Sequence, residues 1–150
     1  MNLPQMPTRQ QTRLESFVHQ VESTQFLDAP AKAAGRAIRS TIGRDWRKDL
    51  LSGTWLGHAV HPLLTDVVIG SFMSASLLDL LAGRDGSKAS ERLIVIGIAA
   101  YTPTALTGVN DWADTEPADH RVRRVGVVHA SSNALALGLY SASLALRRNG

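Results

Sequence analysis

The chain has 150 residues, 16 Lys and Arg against 13 Asp and Glu, a formal net charge of +3, and no cysteine. That length bounds one domain, and the absence of thiols excludes disulfide frameworks and thiolate or iron–sulfur ligation, leaving His, Asp and Asn as metal donors. The basic residues are scattered and form no recognisable nucleic-acid motif, so no nucleic-acid partner is expected.

Residues 1–12 hold Pro4 and Pro7 among Gln, Thr and Arg without an apolar period, which predicts a disordered tail. The opening MNLPQMPTRQQTRLE has no apolar core after a basic start, so the N-terminus is expected to stay in the cytoplasm. Residues 13–56 read as an amphipathic, membrane-surface helical region. Leu14, Phe17, Val18 and Val21 recur at helical spacing, and Asp28 before Ala29 and Pro30 predicts the N-cap of a second helix ending at Gly43. Its apolar stripe is Ala31, Ala34, Ile38 and Ile42, with Lys32, Arg36 and Arg39 mainly on other faces. Trp46 and Trp55 beside Arg44, Arg47 and Lys48 are the mixture found at a bilayer interface; a short soluble helix with two buried tryptophans is the alternative.

Residues 57–148 read as a membrane helical domain. Three apolar segments follow one another: 62–81 with Asp66 and Asp79 as its charges, 93–109 with none, and 125–146 with His129 alone ionisable. About 20 residues at 1.5 Å each cross the roughly 30 Å hydrocarbon core, so the expected class is an all-α integral membrane bundle with three spanning helices, a multi-pass protein of the cell membrane with the lipid bilayer as its first partner. In the third segment Gly126, Ala130, Ala134, Gly138 and Ala142 repeat every four residues, a ridge that lets another helix approach closely. Pro103 is expected to kink the second span, with Thr102, Thr104 and Thr107 near the freed carbonyl.

The connections, 82–92 and 110–124, are short, so consecutive spans run antiparallel. One membrane face then collects His58, His61, Asp66, Asn110, Asp111, Asp114, His120 and His129. Asp66 and His129 each fall roughly 6 Å inside a span, where ionisable groups turn inward and mark function. Three roles are open. A bis-histidine haem site could use His58 or His61 with His129. A non-haem transition-metal site could use His58, His61 and His129 with Asp66 or Asp111. Alternatively the cluster fastens the bundle, Asp66 pairing with His129 and Asp111 with neighbouring hydroxyls. Asn133 and Thr107 stand beside these residues as supporting groups. In GVNDWADT, capping is the cheaper role for Asp114.

TWLGHAVHPLLTDVVIG, ALTGVNDWADT and RRVGVVHASSNALALGLYSASLALRR together resemble the bacterial membrane family of domain of unknown function 2231 over residues 45–148. The pattern falls on Gly57, His58, His61, Pro62, Asp66 and Gly70, on Thr107, Gly108, Asp111 and Trp112, and on Val125, Gly126, His129 and Asn133. Ala59 and Val68 stand where the family has proline. Members of that family usually continue into a fourth membrane helix, and some relatives are fused to a Rieske-type iron–sulfur domain. The resemblance therefore implies a redox association, a Rieske-type redox partner, and a groove that a homo-oligomer or a separate membrane subunit fills. The expected function is a redox-associated module binding haem or a transition metal, or else a structural or assembly subunit with no cofactor. Catalysis by the chain itself is not expected, because no nucleophile with an adjacent base is evident.

Overall fold

Six α-helices run through the computed structural model, which describes residues 12–149: α1 (Arg13–Ser23), α2 (Asp28–Ile42), α3 (Trp46–Ser52), α4 (Val60–Leu81), α5 (Gly83–Thr115) and α6 (His120–Asn149). Single turns of 3-10 helix, Gln25–Leu27 and Thr54–Leu56, link the shorter ones. The all-α class read from the sequence holds. Residues 1–11 of the expected tail lie outside the described residues. Thr12 starts α1 through a capping box, its hydroxyl accepting the Glu15 N–H at 3.2 Å while the Glu15 carboxylate accepts the Thr12 N–H at 2.6 Å.

Two helices, α4 and α5, are long and apolar enough to cross a membrane. α6 is long enough, but its serines, His129 and Asn133 leave it outside that group, so composition alone supports two of the three expected spans. The helices outrun the apolar segments. Residues 83–92, expected as a connection, form the first turns of α5, because Arg84, Lys88, Ala89, Glu91 and Arg92 are good helix formers. Those turns also pack: Ser90 Oγ donates to the Ala75 carbonyl at 3.2 Å. Residues 110–115 likewise remain helical, leaving only 116–119 to turn into α6. Pro103 sits inside α5, where the Thr104 hydroxyl donates to the Ala100 carbonyl at 2.7 Å and the Thr107 hydroxyl lies 3.1 Å from Pro103 O and 2.9 Å from Thr104 O. These threonines serve the carbonyls around a residue that has no N–H of its own.

α4 and α5 pack antiparallel along their length. Val68, Phe72, Ala75 and Ile94 are buried between them, while Leu63, Val67, Ile69, Met73 and Leu77 face outward. The Phe72 ring lies where a Cβ on Gly97 would stand, so the glycine provides its seat. α6 meets α4 at the end remote from the histidines. Tyr140 stacks on Phe72 with centroids 4.0 Å apart and donates to the Phe72 carbonyl at 3.1 Å. Arg147 pairs with Asp79 two turns further on.

At the opposite end α1 and α2 lie across α5 and α6. The Glu116 side chain, 2 % exposed, accepts from Arg123 Nε at 2.8 Å and from Arg39 Nη1 at 2.9 Å, and Arg39 also donates to the Ala113 carbonyl at 2.6 Å. Gly35 lets α2 pass this carboxylate, because a Cβ there would fall on Glu116 Oε1. Burial works to raise the Glu116 pKa, but the Arg123 and Arg39 hydrogen bonds outweigh it and hold it below the ordinary carboxylate value. Asp28, expected as an N-cap, occupies the first helical position instead, with Leu27 as the cap residue. Its carboxylate is taken by Arg124 in a bidentate pair at 2.9 and 2.7 Å, a charge-assisted geometry stronger than a neutral cap. That bond lowers the Asp28 pKa from 3.8 to about 2. Trp46 and Trp55 are exposed, not buried.

Replacing Glu116 by Ala takes a charged hydrogen-bond partner from the buried Arg123 guanidinium, which keeps the residue-116 backbone carbonyl and Asp28, and is expected to destabilise the fold by about 1.5–3 kcal/mol, with Glu116→Gln milder; thermal unfolding in detergent measures both. Asp28 and Glu116 have folded pKa values below their ordinary ones, so their stabilisation is complete above those ordinary values and fades as pH falls through the folded ones. Limited proteolysis between α1 and α2 should therefore accelerate as pH drops from 3.8 towards about 2, with an acid-stable protease as probe. Unchanged cleavage across that window would show that Asp28 and Glu116 do not hold the N-terminal helices down.

Candidate functional site at a lateral cavity

Between α4, α5 and α6, on the histidine side of the Phe72–Tyr140 stack, lies a cavity of about 450 Å³ with mostly apolar walls. Val68 and Ile69 of α4, Tyr101 and Val109 of α5 and Ile38 of α2 supply much of that surface. Two imidazoles line it, His61 from α4 and His129 from α6.

His61 is held by α5. Its Nδ1 lies 3.0 Å from the Thr104 carbonyl and 3.3 Å from the Thr107 hydroxyl. A carbonyl can only accept, so Nδ1 carries the proton and Nε2 keeps its lone pair, which has no protein hydrogen bond among the described residues. Gly108 allows this fit, because a Cβ there would lie 2.6 Å from His61 Cε1. Thr107, only 3 % exposed, stands beside the ring.

His129 is held within its own helix. The Asn133 amide, one turn on, lies 2.9 Å from His129 Nε2 and can only donate, which leaves the proton on Nδ1. The bonded pairs Phe72–Tyr140 and Asp79–Arg147 are each 68 residues apart on two helices running the same way. The same offset pairs His61 with His129, so the two imidazoles stand level across the cavity.

The other expected ligands are elsewhere. His58 precedes α4, exposed, its Nδ1 2.9 Å from the Ala59 carbonyl. Asp66 lies on an exposed side of α4, because five residues turn a helix through roughly 140° away from His61. Asp111 accepts from the Asn110 amide at 3.1 Å, and that amide also reaches Ser52 Oγ at 2.9 Å. Asp114, expected as a cap, pairs with Lys48 at 2.5 Å. Among the described residues no group of three or more His, Asp and Glu stands close enough to hold a metal ion. Topology set the end of the bundle correctly, while the angle about each helix decided which residues meet.

The Trp112 indole packs on Gly126 of α6, where a Cβ would fall on Nε1, and this N–H is buried with no hydrogen-bond partner among the described residues. The regular spacing of Gly126 in the small-residue ridge was the available signal. It pointed to a close neighbour without naming α5 as its source.

No curated protein and no solved structure matches this chain. A family model described as "Predicted membrane protein (DUF2231)" matches residues 57–150, beginning at Gly57 in front of His58 and taking in all of α4, α5 and α6. With both cavity histidines and the helices that carry them inside that match, the chain belongs to the DUF2231 family of predicted membrane proteins.

Proposed function

We propose that this protein is a three-span module of the cell membrane that holds a planar metal cofactor of the haem type between His61 and His129, as a redox-associated component. The observation that supports it is the level pair of imidazoles across an apolar cavity, one with its Nε2 lone pair free. A haem needs only two imidazoles from different helices, whereas the wider donor set of His58, Asp66 and Asp111 would have to gather around a non-haem ion. The Thr104 carbonyl orients the His61 ring, as the outer partner of a ligating histidine does. His129 would exchange its bond from Asn133 for the metal. When bound, such a group supplies one-electron transfer, and the protein's part is ligation, orientation and a low-dielectric wall.

The third span rests on the ends of α6. Arg123 and Arg124 precede the apolar stretch 125–146 and Arg147 and Arg148 follow it, and 22 residues extend roughly 33 Å, a bilayer core's thickness. The N-terminal helices would then lie on the cytoplasmic surface, with exposed Phe17, Phe26, Trp46 and Trp55 at the lipid boundary beside Arg44 and Arg47. A Rieske-type protein is the partner that redox reading implies.

The competing reading is a structural or assembly subunit, favoured by the partners each histidine already has in Thr104, Thr107 and Asn133. Protein purified from membranes of haem-sufficient cells decides between them. The expected result is a Soret band lost in His61→Ala and His129→Ala and kept in His58→Ala. Neither a Soret band nor stoichiometric metal, together with lowered stability in His61→Ala, would establish the structural reading instead. Reporters at the two chain ends test the spans: opposite sides are expected, and a shared side would sink the three-span topology.

A further inference from the structure

Lys48 joins α3 to Asp114 in the last turn of α5 at 2.5 Å, and beside that pair a second cavity of about 380 Å³ opens between the end of α2, the start of α3 and α5. Its walls share only Ile38 with the lateral cavity. α5 is apolar enough to cross a membrane, and residues 110–114 lie just beyond its apolar stretch, so this cavity sits at the level of the membrane boundary.

Three cations line it, Arg39, Arg44 and Lys48, against one carboxylate, Asp114. Lys48 is answered by Asp114. Arg39 spends Nη1 on Glu116 and on the Ala113 carbonyl, while its Nε and Nη2 make no hydrogen bond among the described residues. Gly43, at φ 73°, ends α2 and turns the chain, a conformation glycine adopts freely, and Arg44 after it joins Arg39 on the cavity wall. Arg44 is exposed and makes no hydrogen bond or ion pair among the described residues. Asp45, its neighbour in sequence, caps α3 instead by accepting the Arg47 N–H at 3.2 Å.

Counting Glu116, three cations meet two carboxylates, and Arg44 is the excess. The C-terminus of α2 offsets about half a charge of it, so an anion here is held chiefly by directed guanidinium N–H groups. Asn110, 1 % exposed, adds no donor, because its amide N–H groups go to Ser52 and Asp111. We infer that this cavity binds a phosphate group, with the Arg44 guanidinium and the unspent nitrogens of Arg39 donating to its oxygens and Lys48 adding a third positive charge. The planar guanidinium fork matches two phosphate oxygens at once. Basic pockets at the ends of membrane helices take phospholipid headgroups, and exposed Trp46 and Leu50 on α3 give acyl chains a neighbouring surface. Free phosphate presents the same oxygens. Neither His61 nor His129 belongs to this cavity, so the inference and the cofactor reading fail separately.

The full chain, purified in a neutral detergent, is titrated calorimetrically with inorganic phosphate and, separately, with short-chain phosphatidylglycerol. Saturable binding of at least one probe is expected, weakened about tenfold in Arg44→Ala. It should be unchanged in Arg36→Ala, an exposed arginine of α2 outside the cavity, and several-fold tighter in Asp114→Asn, which takes the acid from Lys48. Tightening is a change that a damaged fold does not produce. Phosphate bound as tightly as the lipid identifies a free anion as the ligand, and tighter binding of the lipid identifies a headgroup. No saturable binding of either probe, equal weakening in Arg36→Ala and Arg44→Ala, or no gain in Asp114→Asn would overturn the inference.

Discussion

The Glu116 carboxylate is the group on which the arrangement of the three long helices depends. It sits in the short turn between α5 and α6, 2 % exposed, and answers Arg123 of α6 and Arg39 of α2 at once. A turn of four residues leaves the second helix free to swing, and a buried charge with two directional partners removes that freedom. With Arg124 tied to Asp28 beside it, the first turn of α6 is fixed to the N-terminal helices, and Trp112 can seat on Gly126 two turns away. The depth of His129 follows from that anchor. The Arg123–Glu116 pair is buried, where removing one partner matters more than the pair's net contribution.

Beyond that anchor the bundle is assembled from large groups set on glycines. Phe72 rests on Gly97, His61 on Gly108, Trp112 on Gly126, and Glu116 beside Gly35. Each is a place where two helices approach within the depth of a missing side chain. That device suits lipid, where the hydrophobic effect does not drive one apolar helix onto another and close contact has to do so. It also accounts for the small number of large buried apolar side chains: Val68, Phe72 and Ile94 are buried, while most Leu, Ile and Val of α4 face outward. His61 is positioned by the same device as the packing residues, with the difference that its polar edge meets the carbonyl of Thr104.

Apolar runs and caps made the helices legible, and the order of short connections made the common end of the histidines legible. Helix ends were less so, because Arg84, Lys88 and Glu91 look like a loop to a hydropathy reading and are good helix formers to the backbone. Rotation was the larger loss. Asp66 and His61 share an end but not a side, since a helix turns about 100° per residue and three or four residues, not five, return to the same face. The ion network was not foreseeable from charge patterning: Arg123 and Arg124 are neighbours in sequence, yet Arg123 hydrogen-bonds Glu116 seven residues away while Arg124 takes Asp28 from 96 residues away, with Arg123 also 3.6 Å from Asp28. Asp28 shows why a local motif misleads, since a cap position yields to a bidentate guanidinium when tertiary structure supplies one.

The cavity exists because α6 is fastened at two separated levels and nowhere between them against α4. At one end Glu116 and Trp112 hold it to α5; at the other Tyr140 and Arg147 hold it to α4. Between those levels His61 and His129 line the gap from either side while each makes its own protein contact. His61 joins α4 to the Thr104 carbonyl of α5, while His129 is met by Asn133 of its own helix, so the two imidazoles are bonded separately and the space they flank is mostly apolar. Contacts above and below hold that space open, and Thr104 orients the His61 ring from behind.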